Sequence, residues 1–406
     1  MNNRVWIISE FYYPDENATG YLLTQIAEGI AKSEEVRVLC GRYACPTSKS
    51  ETSVYERNKV FVKRVNSSIF NKNIFFLRLI NNITLSVKIL LRLIKDLRHG
   101  DKVLVVTNPP SLPFVVSIAS RWKRALYFVL IFDVYPEVLV VAGLFNNHNP
   151  IVYLMKWITQ ILLSKAQKVI VLGRDMYKLL QLNYRVTSDH LIIIPNWGDI
   201  EHTNPADQAN NSIRRELKLE NKFIIQYVGN IGRTHNIELL ASCAKLLSER
   251  NDIFFLFIGN GAKKNWLSDF VDRYSLKNVK VIPFYPRNRQ SDVHTAGDIT
   301  VVSFIPGMSG ISVPSRMYDI MAAGKPIIAI TDDESELAMV VREENIGWVI
   351  TSYQVQDVID VILSAMKNRT LLLEMGQRAR RAAEEKYCFK KIIPRYRDLL
   401  VKEFHG

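Results

Sequence analysis

Cysteine is scarce in this chain, with four in 406 residues: Cys40, Cys45, Cys243 and Cys388. They are scattered, and the one close pair has neither zinc-ligand spacing nor a histidine partner, so a zinc site is set aside and reduced, mostly buried thiols are expected. Long Pro, Gly or Ser tracts and short internal repeats are missing, and charged residues make up 23%, which disfavours disorder and a flexible linker. The opening MNNRVWIISEFYYP lacks the basic, apolar and small-residue zones of a signal peptide, so cytoplasmic residence is expected. Acidic residues are outnumbered, 40 against 53 basic ones, and the net charge of +13 calls for an anionic partner: phosphate, nucleic acid or lipid headgroups. The apolar fraction of 48% is ample for burial, and 406 residues suit two domains of roughly 200 each.

Short runs rich in Val, Ile, Phe and Tyr recur with room for a helix between them, the pattern of parallel strands in α/β units. In the first half they are Arg4–Ser9, Val36–Leu39, Val60–Val65, Lys102–Thr107, Ala125–Phe132, Lys168–Leu172 and Leu191–Ile194. The pattern restarts with Phe223–Val228, Ile253–Ile258, Val279–Ile282, Ile299–Val302 and Pro326–Ile330. Two doubly wound sheets account for this, with a boundary in the polar stretch Asn196–Asn221, and helices are expected from Gln356 to Phe404. Ligands of such sheets sit beyond the carboxyl ends of the strands.

One segment reads as a basic amphipathic helix. From Ile80 at 100° per residue, Ile83, Val87, Leu90, Leu91, Ile94 and Leu97 fall on one side, and Arg78, Lys88, Arg92 and Lys95 on the other. Ile74, Phe75, Phe76 and Leu77 lengthen the apolar surface, but charges interrupt it too often for a span of about 20 apolar residues. Two readings stand: an interfacial helix, or a domain helix with a solvated basic face. Trp122, between Arg121 and Lys123-Arg124, adds an aromatic and basic patch that favours a membrane, although RNA binding uses similar residues.

The stretch Ser309–Pro326, SGISVPSRMYDIMAAGKP, carries the chemistry. Gly307 and Gly310 let backbone approach a ligand, and Pro314 suits a first helical turn. N–H groups around Val313–Arg316 and the Arg316 guanidinium would form an anion site, while Asp319, four residues beyond Ser315, lies on the same helix face about one turn on. A diphosphate at the helix start would bring its ribose to that carboxylate. Alternatively the stretch is a capped helix packing on a sheet. A second loop, Gly229-Asn230-Ile231-Gly232-Arg233-Thr234-His235, follows a strand, and its G-x-x-G spacing lacks the dinucleotide fingerprint. Arg233 would add charge there, or be an exposed turn residue. His235 and His294 read as loop or surface residues.

G-N-I-G-R followed by P-S-R-M-Y-D-I-M-A-A-G-K-P-I resembles the family 4 glycosyltransferases, and among them the enzymes of bacterial O-antigen and colanic-acid-type polysaccharides, including N-acetyl-L-fucosaminyl transferases. F-Y-Y-P, T-N-P-P at Thr107–Pro110, D-V-Y-P-E at Asp133–Glu137 and P-N-W-G-D at Pro195–Asp199 extend the resemblance along nearly the whole chain. It implies an α/β GT-B fold, two Rossmann-like doubly wound domains facing a central cleft. An acceptor domain at 1–200 and a nucleotide-sugar domain at 201–385 would be followed by a C-terminal helix, 386–406, crossing back to the first domain. By the same resemblance Asp319 matches the second acid of an E-x7-E motif that holds the ribose, and Ser315, Arg316 and Gly310 surround the diphosphate. Gly229, Asn230, Gly232 and Arg233 join the donor site, Phe284 and Tyr285 contact the base, and Gly20 approaches donor phosphate and acceptor. Ile311 replaces the first acid, and Asn230 and His235 stand where the family has Arg and Lys, so Arg233 and Arg316 are expected to supply that charge.

The implied reaction moves a hexosyl group from a nucleotide diphosphate sugar, UDP-linked, to a hydroxyl, with retention and without metal or cofactor. Asp133 and Glu137 are the candidates to orient or deprotonate the acceptor hydroxyl; a strand cap and a helix-opening acid are the alternative roles. A polyprenyl-diphosphate-linked saccharide acceptor and anionic inner-membrane binding through 74–98, at the cytoplasmic face, would join the charge to the amphipathic helix, with no nucleic-acid partner. N-acetyl-L-fucosamine is the favoured sugar. A GT-B sugar-nucleotide epimerase and a nucleic-acid-binding or scaffold protein are the competing readings.

Overall fold

The computed structural model describes residues 4–15, 17–42, 54–68, 70, 75–205 and 210–401. The first three residues, Cys45, Ile74, Phe404 and the side chains of Phe75 and Phe76, all used above, lie outside the described residues. The chain divides into two compact units, Met1–Pro195 with Ile392–Gly406, and Asn196–Lys391.

The first unit runs β1 (Val5–Ser9), α1 (Ala18–Ile30), β2 (Val36–Cys40), β3 (Val54–Arg57), β4 (Val60–Arg64), α2 (Phe75–Asp96), β5 (Lys102–Val106), α3 (Leu112–Lys123) and β6 (Leu126–Leu130). It continues with α4 (Glu137–Val141), α5 (Pro150–Ser164), β7 (Lys168–Val171), α6 (Arg174–Tyr184) and β8 (Leu191–Ile193). Its sheet has the order β3-β4-β2-β1-β5-β6-β7-β8. Every pairing is parallel except β3 with β4. The central strands VWIIS and KVLVV are buried at every residue, as a sheet covered on both faces requires.

The second unit contains α7 (Ser212–Glu216), β9 (Phe223–Val228), α8 (Ile237–Leu246), β10 (Ile253–Ile258), α9 (Lys264–Arg273) and β11 (Val279–Ile282). A 3-10 turn at Arg287–Arg289 leads to α10 (Gln290–Thr295), β12 (Ile299–Ser303), α11 (Arg316–Ala322), β13 (Ile327–Ile330), α12 (Glu336–Glu343), β14 (Gly347–Ile350), α13 (Val355–Lys367) and α14 (Arg369–Glu385). The last helix, α15 (Phe389–Val401), begins among residues of this unit and ends among those of the first. The second sheet is all parallel, β11-β10-β9-β12-β13-β14. Two doubly wound α/β units are therefore present, as expected from the strand spacing.

The strand readings differ at details with physical causes. Pro326 stays outside β13, which opens at Ile327, the first residue able to give its N–H, to Ile346 O at 3.0 Å. Two strands were not read at all. β3 is a four-residue antiparallel edge whose alternate residues face solvent. β14 begins on Gly347, where a Cβ would lie 1.8 Å from Ile327 O, so only glycine lets the strand approach β13.

Right-handed crossovers put α2, α3, α5 and α6 on one face of the first sheet and α1 on the other, because the strand order moves in opposite directions from β1. On α2 the core face is Leu85, Ile89 and Leu93, all buried at i, i+4 spacing, with Leu97. This corrects the sequence reading of Leu97, which belongs to the core and not to the free arc. Ile80, Ile83, Val87 and Leu91 point outward, Leu91 with 63% exposure, so the helix has two apolar faces. No helix among the described residues is long and apolar enough to cross a membrane.

Candidate functional site

The loops beyond β9 and β12 converge in the second unit. The turn after β9 begins at Gly229, with φ +128°, where a Cβ would stand 3.0 Å from the Arg316 Cζ. Glycine thus admits the Arg316 guanidinium against the backbone. Arg316 Nη1 donates to Val228 O at 3.2 Å, Nη2 meets His235 Nε2, and the guanidinium lies 4.9 Å from the Tyr227 ring centroid. These three contacts hold the cation before any substrate arrives.

His235 corrects the expectation of a surface histidine. It is buried between Tyr227 and Phe304, with ring centroids at 6.3 and 5.2 Å. Burial, then the neighbouring Arg316 and Lys263 charges, hold its pKa well below the usual histidine range. The imidazole is therefore neutral and can accept from Arg316 at Nε2, which leaves its proton on Nδ1, 3.4 Å from Thr234 Oγ1. A cation here would repel Arg316. His294 is buried as well, pushed down to about 4 by burial and by Arg287 and Arg316.

The loop before α11 is pinned rather than loose. Asp332 accepts from the N–H groups of Gly307 (3.1 Å) and Ser309 (2.9 Å) and from Tyr353 Oη (2.8 Å). Gly307 and Gly310 both have positive φ, +85° and +75°. The helix begins at Arg316, two residues later than Pro314 suggested, because Met317 and Tyr318 give their N–H groups to Pro314 and Ser315 carbonyls in a tight turn. Ser315 does not cap it with its side chain, so the N–H groups of Ser315 and Arg316 are those the helix leaves over. Ile311, in place of the family's first acid, is buried.

Asp319 sits one turn further, beside Asp199 and Arg287. Burial, the dominant cause, raises its carboxyl to about 6; Arg287 opposes this and Asp199 adds to it. Near neutral pH the group is ionised but close to its titration. Of the other donor-site candidates, Asn230 and Arg233 are exposed on the loop after β9, Gly232 is buried against Asn230 and His235, and Phe284 is exposed after β11. Tyr285 is occupied: its hydroxyl donates to Glu216 Oε2 at 3.3 Å and Arg289 stacks on its ring at 4.5 Å.

Gly20, Asp133 and Glu137 belong to the first unit. Gly20 lies in the first turn of α1, giving its N–H to the Asn17 side chain at 2.8 Å. Glu137 opens α4, buried, and accepts from Tyr184 Oη at 2.5 Å, with Lys156 Nζ 3.8 Å away. Asp133 lies beyond the carboxyl end of β6, and its N–H points to Thr107 Oγ1 at 3.4 Å. It lines a cavity of about 290 Å³ between α3 and α5. No sequence signal marked this cavity, because its walls come from segments far apart in the chain.

Residues 209–382 match the family model Glycosyl transferases group 1. The chain is 28% identical over 350 residues to a protein of Pseudomonas aeruginosa named as a probable glycosyltransferase, WbjE, covering 85% of each. It is 27% identical over 154 residues, 37% of this chain and 38% of the other, to Escherichia coli K12 WcaI, a glycosyl transferase whose name assigns it provisionally to colanic acid biosynthesis. In fold it resembles Anabaena Alr3699/HepE solved with UDP, with a TM-score of 0.73, 14% identity and coverage of 98% and 99%. The chain thus carries, over residues 209–382, a glycosyl transferases group 1 domain within a GT-B fold.

Proposed function

We propose that the chain transfers a glycosyl group from a UDP-sugar to a lipid-linked saccharide in bacterial surface polysaccharide synthesis. The observation that carries the reading is Arg316, held by Val228 O and neutral His235 at the carboxyl end of β9 beside a glycine turn. A preorganised guanidinium beside backbone N–H groups stabilises the negative charge that grows on a departing diphosphate, a role that needs no metal. Arg316 takes over the charge the family carries on the residues aligned with Asn230 and His235. HepE, of similar fold, was solved with UDP, and WcaI's name points to colanic acid biosynthesis, which supports the donor and the pathway class. Retention follows from the family resemblance, and N-acetyl-L-fucosamine is the first donor sugar to try on the same ground.

In this mechanism the Asp319 carboxylate accepts from ribose hydroxyls, Phe284 flanks the base, and Gly310, Ser315 and Arg316 surround the diphosphate. Asp133, which lines the cavity between α3 and α5, is taken as the acceptor carboxylate, and Glu137 accepts from Tyr184. The competing readings, an epimerase or a nucleic-acid binder, predict no acceptor or no nucleotide-sugar affinity.

Calorimetry of UDP and GDP tests the donor site. UDP is expected to bind and Asp319→Ala to lose about tenfold or more, the loss of a charge-assisted pair of hydrogen bonds. Since Asp319 ionises near pH 6, affinity should be flat above that pH and fall by up to about tenfold per pH unit below it. The sign for stability is opposite. A raised carboxyl stabilises the folded state fully below the unfolded pKa and loses that contribution as pH rises through about 6. UDP affinity unchanged both by Asp319→Ala and from pH 7 to 5 would remove Asp319 from the site, and absence of nucleotide binding would sink the reading.

Membrane attachment belongs to the same proposal. Ile80, Ile83, Val87 and Leu91 of α2 share the outer surface with Phe114, Ile118 and Trp122 of α3, spaced i, i+4, i+8, and with Leu154 and Trp157 of α5. Trp122 is 71% exposed and Trp157 60%. These three helices hold seven basic residues against one acid, Asp96. Such an apolar and basic layer suits an anionic interface. Flotation with phosphatidylglycerol vesicles should carry the protein at low salt, and Trp122→Glu with Leu91→Glu should leave it in the bulk phase. Equal flotation of the variant, or no flotation of the wild type, would refute the attachment.

A further inference from the structure

The cavity between α3 and α5 has a shape and lining that the reading above does not use. Its floor is Val129 of β6 with Ile131 just beyond that strand, and its walls are Phe114 of α3 with Met155 and Ile158 of α5. At about 290 Å³ it is roughly twice the 150 Å³ cavity that admits a benzene ring, so it has room for about a dozen carbons. Protein interiors are close-packed, and an apolar space of this size forfeits contacts the fold would gain by closing it.

Two further observations define what fits. Phe114 both lines the cavity and heads the exposed stripe of α3, while Leu154 and Trp157 on the outer surface flank the lining residues Met155 and Ile158. The apolar exterior and the cavity are therefore continuous. Asp133 and Tyr135 also line the cavity. The charges felt at Tyr135 are mixed, Asp133 and Glu10 against Arg78, and Lys156 of α5 pairs with Glu137 of α4 at 3.8 Å. Arg78 is exposed and Lys156 half-buried, and two cations beside an apolar slot suit an anionic headgroup on an apolar chain.

We propose that this cavity is the lipid subsite for the acceptor, taking the isoprenoid segment nearest the diphosphate, with Arg78 and Lys156 facing the diphosphate. The assignment rests on the acceptor reading above. A prenyl chain is preferred over a bulk membrane lipid because the cavity runs to Asp133, the carboxylate assigned to the acceptor hydroxyl. Only the acceptor carries its chain and its reacting sugar on one molecule.

Farnesyl diphosphate and dodecyl phosphate, titrated calorimetrically into the full chain without vesicles, test it. Farnesyl diphosphate should bind, and Met155→Trp and Ile158→Trp, which fill the slot from half-buried positions, should each weaken it by about tenfold or more. Dodecyl phosphate should bind the wild type at least about tenfold more weakly than farnesyl diphosphate. Unchanged melting temperature and unchanged UDP affinity in the variants would show that the folded donor unit is intact. Farnesyl diphosphate affinity that is absent in the wild type or unaltered in both folded variants overturns the subsite, and equal binding of dodecyl phosphate overturns its assignment to the acceptor. UDP binding without prenyl binding rejects only this proposal. Prenyl binding without UDP binding rejects the transferase reading, and with it the assignment to an acceptor, and leaves a prenyl-diphosphate site of another role.

Discussion

Alanine at position 316 is expected to lower kcat/KM by two to three orders of magnitude, about the effect of removing one preorganised donor from a site of charge development. The guanidinium is held by the Val228 carbonyl, His235 Nε2 and the Tyr227 ring, so little side-chain freedom is lost when a diphosphate arrives. Arg316→Lys should recover only part of the activity, because an ammonium cannot keep the fork that reaches Val228 O and His235 together. Gly229→Ala gives a second arm, since a Cβ there stands 3.0 Å from Arg316 Cζ and must move the cation. Steady-state kinetics with the donor identified by calorimetry provide the readout. A loss of less than about threefold for Arg316→Ala would mean that another charge, with Arg233 the first to test, neutralises the leaving group.

The largest stability effect is expected at Asp298. Its side chain is 2% exposed and accepts from Arg214 Nη2 at 2.5 Å, Arg369 Nη1 at 2.6 Å and the Ile224 N–H at 2.7 Å. Asp298→Ala strands the buried Arg214, whose only other strong contact is Ala296 O at 2.7 Å among the bonds described, and leaves a β9 N–H without its acceptor. Breaking a buried pair in this way costs about 3–5 kcal/mol. For a unit of this size that is a drop of roughly 10 °C in Tm. Replacing both partners by apolar residues, Arg214→Met with Asp298→Leu, should recover part of the loss, because the stranded charge is gone. Urea denaturation of the wild type and the two variants checks this. A cost below about 1 kcal/mol for Asp298→Ala would mean that water reaches the site and satisfies Arg214.

The fold was legible because its central strands are continuous buried runs, and Phe223–Val228, Ile253–Ile258 and Val279–Ile282 have the observed ends without adjustment. Edge elements were not, since β3 and β14 carry half-solvated sequences that resemble loops. The candidate site was legible wherever a residue type has few uses. Arg316 after a proline turn and glycines after a strand drew attention separately, and the structure brings Gly229 and Arg316 together. The role of His235 was not readable, because a lone loop histidine carries no signal until its burial against Arg316 is known. The raised carboxyl of Asp319 depends on depth, which spacing along a helix does not encode. In α2 the period was right, yet a helix with two apolar faces gives one period two meanings, and only packing tells Leu85, Ile89 and Leu93 from Ile83, Val87 and Leu91.

The first unit is not continuous in sequence, and this matters while the chain is being made. Its last segment, Ile392–Gly406, follows the whole of Asn196–Lys391. In that segment Ile392, Tyr396 and Leu400 are buried, Arg395 Nη2 donates to Ile193 O at 2.6 Å, and Val401 O receives the Lys102 ammonium at 2.9 Å. At roughly 5–20 residues per second, a ribosome needs about 10–40 s to pass from Pro195 to Ile392. For that interval the nascent first unit lacks the helix that completes it, while its apolar outer layer on α2, α3 and α5 is already synthesised. Early capture of that layer, by a chaperone or by the bilayer, would protect the growing chain until its final helix arrives.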